Sequence, residues 1–242
     1  MKRVILSLMA AVVFSLCSTL INAVEKKHVN DPHYLSVGFF DLHVCNWSDR
    51  KPFFLAVFSS YQYDMVKNVK VFAPDGKPVG TFNLGKFRIV DKKGKPRKEV
   101  FLTQMPLIKP HQDGWYRAEI EMNDGTHYQA KDFVKITIMP RVHNPVPSAG
   151  DADIPVPREF SWDPAPGAKY YRVYIRDIWG GEQVIHTSKW LTGPRFIVPR
   201  DLLQPGGYYS WRVHARDVNE DPMLGDFNHG SLTREFEFTV KP

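Results

Sequence analysis

Along most of the chain, apolar and polar residues alternate at every second position, the period of a strand with one dry and one wet face. From Tyr209 to Arg216 the run places Tyr209, Trp211, Val213 and Ala215 on one face and Ser210, Arg212, His214 and Arg216 on the other. Strand-like runs recur before residue 139, in YLSVGFFDLHVCNW, FFLAVFSSY, VKNVKVFA, TFNL, KFRIV, EVFLT, GWYRAEIEM, HYQAKDF and VKITIM. They recur after residue 157 in FSWDPAPGAKYYRVYIRDI, VIHTSKWLTGPRFIVP and REFEFTV. The segments APDGKP and MNDGTH separate several of them, and Asp-Gly supplies the positive φ angles of a tight hairpin turn. GWYRAEIEMNDGTHYQAKDF therefore predicts a hairpin with Tyr116, Ala118, Ile120 and Met122 on its apolar face. The pattern predicts an all-β chain built from sandwiches.

Between the two groups lies Met139–Pro157, with five prolines and no strand pattern, which predicts an extended linker over 140–157. The domains expected are 24–139 and 158–242. Strand number and turn spacing in the first resemble an immunoglobulin-like sandwich. The second is similar to a fibronectin type III domain over about the last 85 residues. The likeness rests on Trp162 ahead of a proline-rich turn, the alternating YYRVYI, FIVP, and the spacing L-x-P-G-x-x-Y-x-W-x-V-x-A from Leu203 to Ala215. It implies that Trp162 fills the core and that the Tyr209 hydroxyl ties down nearby backbone. A valine is usual in that family where Trp211 stands, so the core is expected to adjust around a larger ring. Such modules are mostly spacers and binding platforms, and fold alone does not settle function.

The chain of 242 residues is 43% hydrophobic and 13% aromatic, enough for one large or two small domains. Its first 23 residues read as a secretory signal peptide: a basic MKR, an apolar run from Val4 to Ile21, and a cleavage site after Ala23. The run is long enough to serve instead as a retained membrane anchor, although Ser7, Ser15, Ser18 and Thr19 dilute it. A lipoprotein reading through Cys17 is disfavoured, because Leu16 stands where a small residue is needed. Export to the periplasm or outside the cell is the expectation. Cleavage would leave Cys45 as the single cysteine, so no internal disulfide forms. Cys45 reads as a packed thiol on the strand face of Phe39, Asp41, His43 and Trp47, with an intermolecular bridge as the alternative. Asn46–Ser48 is a glycosylation acceptor in a eukaryotic host only.

Candidate chemistry is sparse. GTFNLGKF approaches a phosphate-binding loop, but Phe87 occupies the hydroxyl position and strands flank it on both sides. Asp217, Asn219 and Asp221 have the alternating spacing of a calcium loop, yet Pro222 replaces the sixth-position glycine and Asn228 the twelfth-position glutamate, so an Asx-rich turn is preferred. HQD at 111–113 and NDGTH at 123–127 each place a carboxylate near a histidine, at turns. No residue set suggests a nucleophile oriented by a base. The expectation is a protein without catalytic residues, cofactor or metal.

Charge changes the picture. Without residues 1–23 the chain has 30 basic and 26 acidic residues, and the excess lies in the first part: 19 against 13 up to Pro147, then 11 against 13. KFRIVDKKGKPRK, 86–98, carries seven basic residues against Asp91 alone. A hairpin tip presenting Lys92, Lys93, Lys95, Arg97 and Lys98 would attract anionic polysaccharide, lipid headgroups or an acidic protein. A solvated, self-repelling loop is the other reading. Nucleic acid is not expected. In the second part, Arg212, His214 and Arg216 are expected opposite Glu235 and Glu237 of the last strand, in pairs contributing roughly 0.2–1 kcal/mol each. The neighbouring strand presents Tyr170, Arg172, Tyr174 and Arg176 with no evident acidic partner but Asp177. Tyrosine and arginine are favoured at interfaces, so a binding face and a plain solvent face both stand open. The composite expectation is an exported binding or spacer protein of the cell envelope or exterior, with an envelope protein or anionic polysaccharide as partner. A membrane partner enters only if the N-terminal segment is retained. The alternative is an accessory carbohydrate-binding or enzyme-associated module.

Overall fold

The computed structural model describes residues 30–242 except 92, 94, 95, 108 and 218–226. The expected signal peptide, Lys92, Lys95 and most of the calcium-loop spacing lie outside the described residues. Among the described residues there are eighteen strands and one 3₁₀ turn (Tyr63–Met65), and the protein is an all-β sandwich protein as the alternation predicts. The strands are β1 Tyr34–Leu35, β2 Gly38–Trp47, β3 Phe53–Ser60, β4 Val66–Phe72, β5 Pro78–Thr81, β6 Phe87–Val90, β7 Lys98–Pro106, β8 Gly114–Met122 and β9 His127–Val134. They continue as β10 His143–Val146, β11 Asp151–Ile154, β12 Glu159–Asp163, β13 Tyr170–Asp177, β14 Gln183–Thr187, β15 Arg195–Ile197, β16 Tyr208–Arg216, β17 His229–Leu232 and β18 Phe236–Val240. The chain divides into two compact units. One holds the residues up to Asp41 with Ala56–Thr103 and Gly114–Phe133; the other holds Leu42–Leu55, Gln104–Asp113 and Val134–Pro242.

In the first unit the order β5-β4-β8-β9 forms one sheet. Val69 lies opposite Ile120 and Val71 opposite Ala118, so the buried side chains of β4 and β8 meet in register. The predicted hairpin is β8–β9, with Tyr116, Ala118, Ile120 and Met122 buried. Its turn has Gly125 at φ +84°, and the β4–β5 turn has Gly76 at the same angle; both are the glycines of the Asp-Gly signals. Phe58 packs between Phe82 and Phe101, each at 6.2 Å between ring centroids.

In the second unit β10-β12-β15 make one sheet, while β13, β16 and β18 make the other, with β14 and β11 beside them. Phe160, Trp162, Tyr171, Val173, Ile175, Phe196, Leu203, Tyr209, Trp211, Val213, Ala215, Phe236, Phe238 and Val240 form its core. Trp162 is buried as the resemblance implies, and Tyr209 accepts a hydrogen bond of 2.8 Å at its hydroxyl from the backbone N–H of Gln204. Trp211 is completely buried against Phe160, Trp162 and Phe236, and its indole N–H donates to the Pro147 carbonyl at 3.0 Å.

Two expectations change. The proline-rich stretch is not free of strands: β10 pairs antiparallel with β12, and β11 pairs parallel with β18. The chain passes from one sheet to the other at Pro147–Gly150, where Gly150 adopts φ +89°. Short pairs at a sheet edge need few free N–H groups, which is where proline is tolerated. Second, β2 is buried on both faces from Phe40 to Cys45, so Asp41 and His43 are interior residues.

Replacing Tyr209 by Phe leaves the ring but strips the acceptor from the Gln204 N–H. A loss of about 1–3 kcal/mol is expected, seen as a lower urea midpoint with an unchanged slope.

Candidate functional site

The face carrying Tyr170, Arg172, Tyr174 and Arg176 is built by the β13–β16 ladder, which sets Tyr170 opposite Arg216, Arg172 opposite His214, Tyr174 opposite Arg212 and Arg176 opposite Ser210. The four residues do share one face, and all are half-buried. The two arginines are engaged within the fold. Arg172 donates from Nε to the Ser188 carbonyl at 3.0 Å and lies 4.9 Å from the Trp190 ring. Arg216 lies 4.6 Å from the same ring and 4.1 Å from Phe227. Arg212 stands over Tyr174 at 5.6 Å. Cation–π pairs of this kind contribute about 0.5–2 kcal/mol each as burial deepens.

Arg176 has an acidic partner after all: its Nε lies 2.9 Å from Glu235 Oε1, and its Nη1 donates to the Glu182 carbonyl at 2.8 Å. The Nε contact is electrostatic, since its N–H makes no aligned hydrogen bond. Glu235 also takes the Ser210 hydroxyl at 2.7 Å and stands 3.8 Å from Arg212. The expected placement of His214 and Arg216 opposite Glu235 and Glu237 does not occur among the described residues. β18 follows β16 only as far as Phe236 opposite Trp211. Beyond that point β17 takes the edge, setting Leu232 against His214 and Gly230 against Arg216. Burial, joined by the charges of Arg216, His43, Arg212 and Arg172, drives the His214 pKa well below its ordinary value, so the ring is neutral.

The basic segment of the first unit forms the expected hairpin, with Phe87 opposite Phe101 and Val90 opposite Lys98 in β6 and β7. Lys93 is exposed near its tip. Where the connecting loop enters β7, Arg97 donates to the buried Glu99 at 3.2 Å and lies 5.6 Å from the Tyr63 ring, while Lys98 Nζ lies 5.7 Å from the Tyr61 ring. Two cations thus stand beside two tyrosines, and Tyr61 is 47% exposed. Alternation did not point to Tyr61 and Tyr63, because they sit just past the end of β3; their signal was the isolated pair of tyrosines in SSYQYD.

The buried ionisable groups are committed elsewhere. His33 meets Asp31 from Nδ1 at 2.6 Å and Asp132 from Nε2 at 3.1 Å. Burial opposes its charge, but the hydrogen bond and charge of Asp132, the hydrogen bond of Asp31 and the charge of Asp41 prevail and raise its pKa to about 10. Among the described residues His33, Asp41 and Asp132 alone approach metal-ligand spacing, with ligand atoms within 4.8 Å of one another. The histidine fills that space as an imidazolium, with both ring nitrogens directed at carboxylates. Asp217, first residue of the calcium-loop spacing, accepts the backbone N–H of His229 at 2.6 Å and faces its Nδ1 at 2.5 Å. Burial lowers the His229 pKa, but Asp217 and the Lys135 carbonyl raise it above the ordinary value overall. Cys45 is fully buried with Phe53 and Phe227, and burial pushes its thiol up to about 12, a packed and unreactive group.

The chain matches no protein-family model and no curated protein sequence. Solved structures resemble it distantly. Dimeric latent PorU from Porphyromonas gingivalis is 12% identical, covering 84% of this chain and 20% of that one, at a TM-score of 0.29. Domains A168–A170 from titin are 12% identical over 85% of this chain and 99% of that one, at 0.24. Bacteroides ovatus mixed-linkage glucan utilization locus SGBP-B, in complex with a mixed-linkage heptasaccharide, is 17% identical over 82% of this chain and 42% of that one, at 0.25. The chain spans only a fifth of PorU and under half of SGBP-B. At such scores none of these likenesses carries an argument about family or function.

The His33 cluster fixes a pH dependence. A folded pKa of about 10 against an ordinary 6.5 means that its stabilisation is whole below pH 6.5 and is lost as pH rises through 10. Urea unfolding across that window should show stability falling for the parent chain and a flatter profile for His33→Gln.

Proposed function

We propose that the protein is an exported, non-catalytic binding protein that recognises an anionic polysaccharide through its first unit. The observation that carries this reading is the loop end of the β6–β7 hairpin, where Lys98 stands beside Tyr61 and Arg97 beside Tyr63. A sugar ring can lie against an aromatic face while its carboxylate or sulfate meets an adjacent cation. The positive balance of residues 24–147 supports long-range attraction of such a polymer. Export is supported by the basic start and apolar run of residues 1–23, and by the scarcity of cysteine after them. Assignment of the second unit to the fibronectin type III family is supported by the Tyr209–Gln204 hydrogen bond at the Pro-Gly corner and by the buried Trp162. In that reading the second unit spaces and presents the first, and its arginine–aromatic face stiffens the sheet.

Retention on immobilised polygalacturonate tests the reading, with neutral dextran as control. Binding should weaken steeply with added salt, and Tyr61→Ala combined with Lys98→Ala should lower affinity roughly tenfold. Retention that ignores salt, or that survives the double substitution unchanged, contradicts it.

A further inference from the structure

A second surface, in the other unit and of different chemistry, carries an inference of its own. Trp179 stands at the tip of the β13–β14 hairpin and is 71% exposed, although indole is a side chain that folding normally covers. Its place is set by the turn. The Asp177 carboxylate accepts the Gly180 N–H at 2.8 Å, Gly181 adopts φ +83°, and the Ile178 N–H donates to the Tyr208 carbonyl at 3.0 Å. The ring meets Tyr208 edge-on, with 6.0 Å between centroids. Tyr208 in turn lines an open groove of about 530 Å³ with Asp151, Arg234, Glu235, Glu237 and Thr239. That volume falls within the range of roughly 300–1,000 Å³ common for small-ligand sites.

The groove is polar and the platform beside it is aromatic. The Tyr208 hydroxyl donates to Glu237, and the Ser148 N–H donates to Asp151 at 2.7 Å. A carboxylate accepts several hydrogen bonds, so both acids retain acceptor capacity toward the groove. Glu235, by contrast, is compensated by Arg176 and Arg212. Acceptors in a groove next to an exposed indole suit a ligand with apolar C–H faces and many hydroxyl donors. Three carboxylates against the single cation of Arg234 leave the lining net negative, which disfavours the uronate or sulfated chains suited to the first unit. We infer that Trp179, Tyr208, Glu237 and Asp151 form a binding site for an uncharged glycan, with a sugar ring on the indole and its hydroxyls donating to the two carboxylates. The site is independent of the cationic surface at Tyr61 and Lys98.

Calorimetric titration of the full chain with uncharged gluco-, manno- and galacto-oligosaccharides tests the inference, with polygalacturonate and tetramethylammonium as counter-probes. At least one uncharged oligosaccharide should bind. Trp179→Ala should weaken that binding roughly tenfold, and Glu237→Gln should weaken it by a smaller factor. The Trp179 side chain is outside the core, and an unchanged circular-dichroism spectrum and urea midpoint would confirm that the fold survives its loss. Tyr61→Ala with Lys98→Ala should leave neutral-glycan binding intact, which separates this site from the anionic one. Binding of no uncharged oligosaccharide, binding indifferent to Trp179→Ala, or tetramethylammonium binding that alone depends on Trp179 would each overturn the inference.

Discussion

The indole N–H of Trp211 donating to the Pro147 carbonyl is the interaction on which the second unit turns. Trp211 is completely buried, and an interior indole left without an acceptor would incur a desolvation penalty of about 1–3 kcal/mol. Pro147 supplies that acceptor where the chain crosses from β10 in one sheet to β11 in the other. The crossing lets the Gly150 N–H reach the Glu237 carbonyl at 2.8 Å and the Lys241 N–H reach the Ile154 carbonyl at 2.9 Å. Trp211 therefore does more than fill the core. It fastens a proline-rich strand pair onto the sandwich.

The same strand explains why its opposite face is quiet. Once β16 directs its large rings inward, Ser210, Arg212, His214 and Arg216 must settle on the other side. The fold gives each a local use: Ser210 and Arg212 at Glu235, His214 buried and neutral, and Arg216 against Trp190 and Phe227. Of the tyrosines and arginines alternating on β13, Arg172, Tyr174 and Arg176 also have neighbours within the fold. Exposed rings stand elsewhere, at Tyr61 in the first unit and at the Trp179 tip in the second.

Much of the fold was legible because strand period and turn chemistry are local signals. The Asp-Gly turns, the β8–β9 hairpin and the Leu203–Tyr209 corner all declare themselves within a dozen residues. What stayed hidden depends on groups far apart in sequence. Short strands β10 and β11 lack the length for a visible period, and prolines obscure what period they have. The replacement of β18 by β17 beside His214 and Arg216 is a matter of ladder length, which composition does not encode. His33 finds Asp132 99 positions away, and Arg172 and Arg216 meet at Trp190 from two strands. The basic hairpin was visible from its charge, but its tyrosine companions come from the link after β3. Trp179 carries no such signal, because a single tryptophan before Gly-Gly reads as an ordinary turn.

Hydrogen exchange on Trp211→Phe tests the fastening most directly, since it keeps an aromatic ring in the core while removing the indole donor. The amides of Gly150 and Lys241 should exchange much faster in the variant, while those paired between β13 and β16 keep their protection. Unchanged exchange at Gly150 and Lys241, or an equal rise throughout the second unit, would show that Trp211 does not hold the proline-rich strands in place.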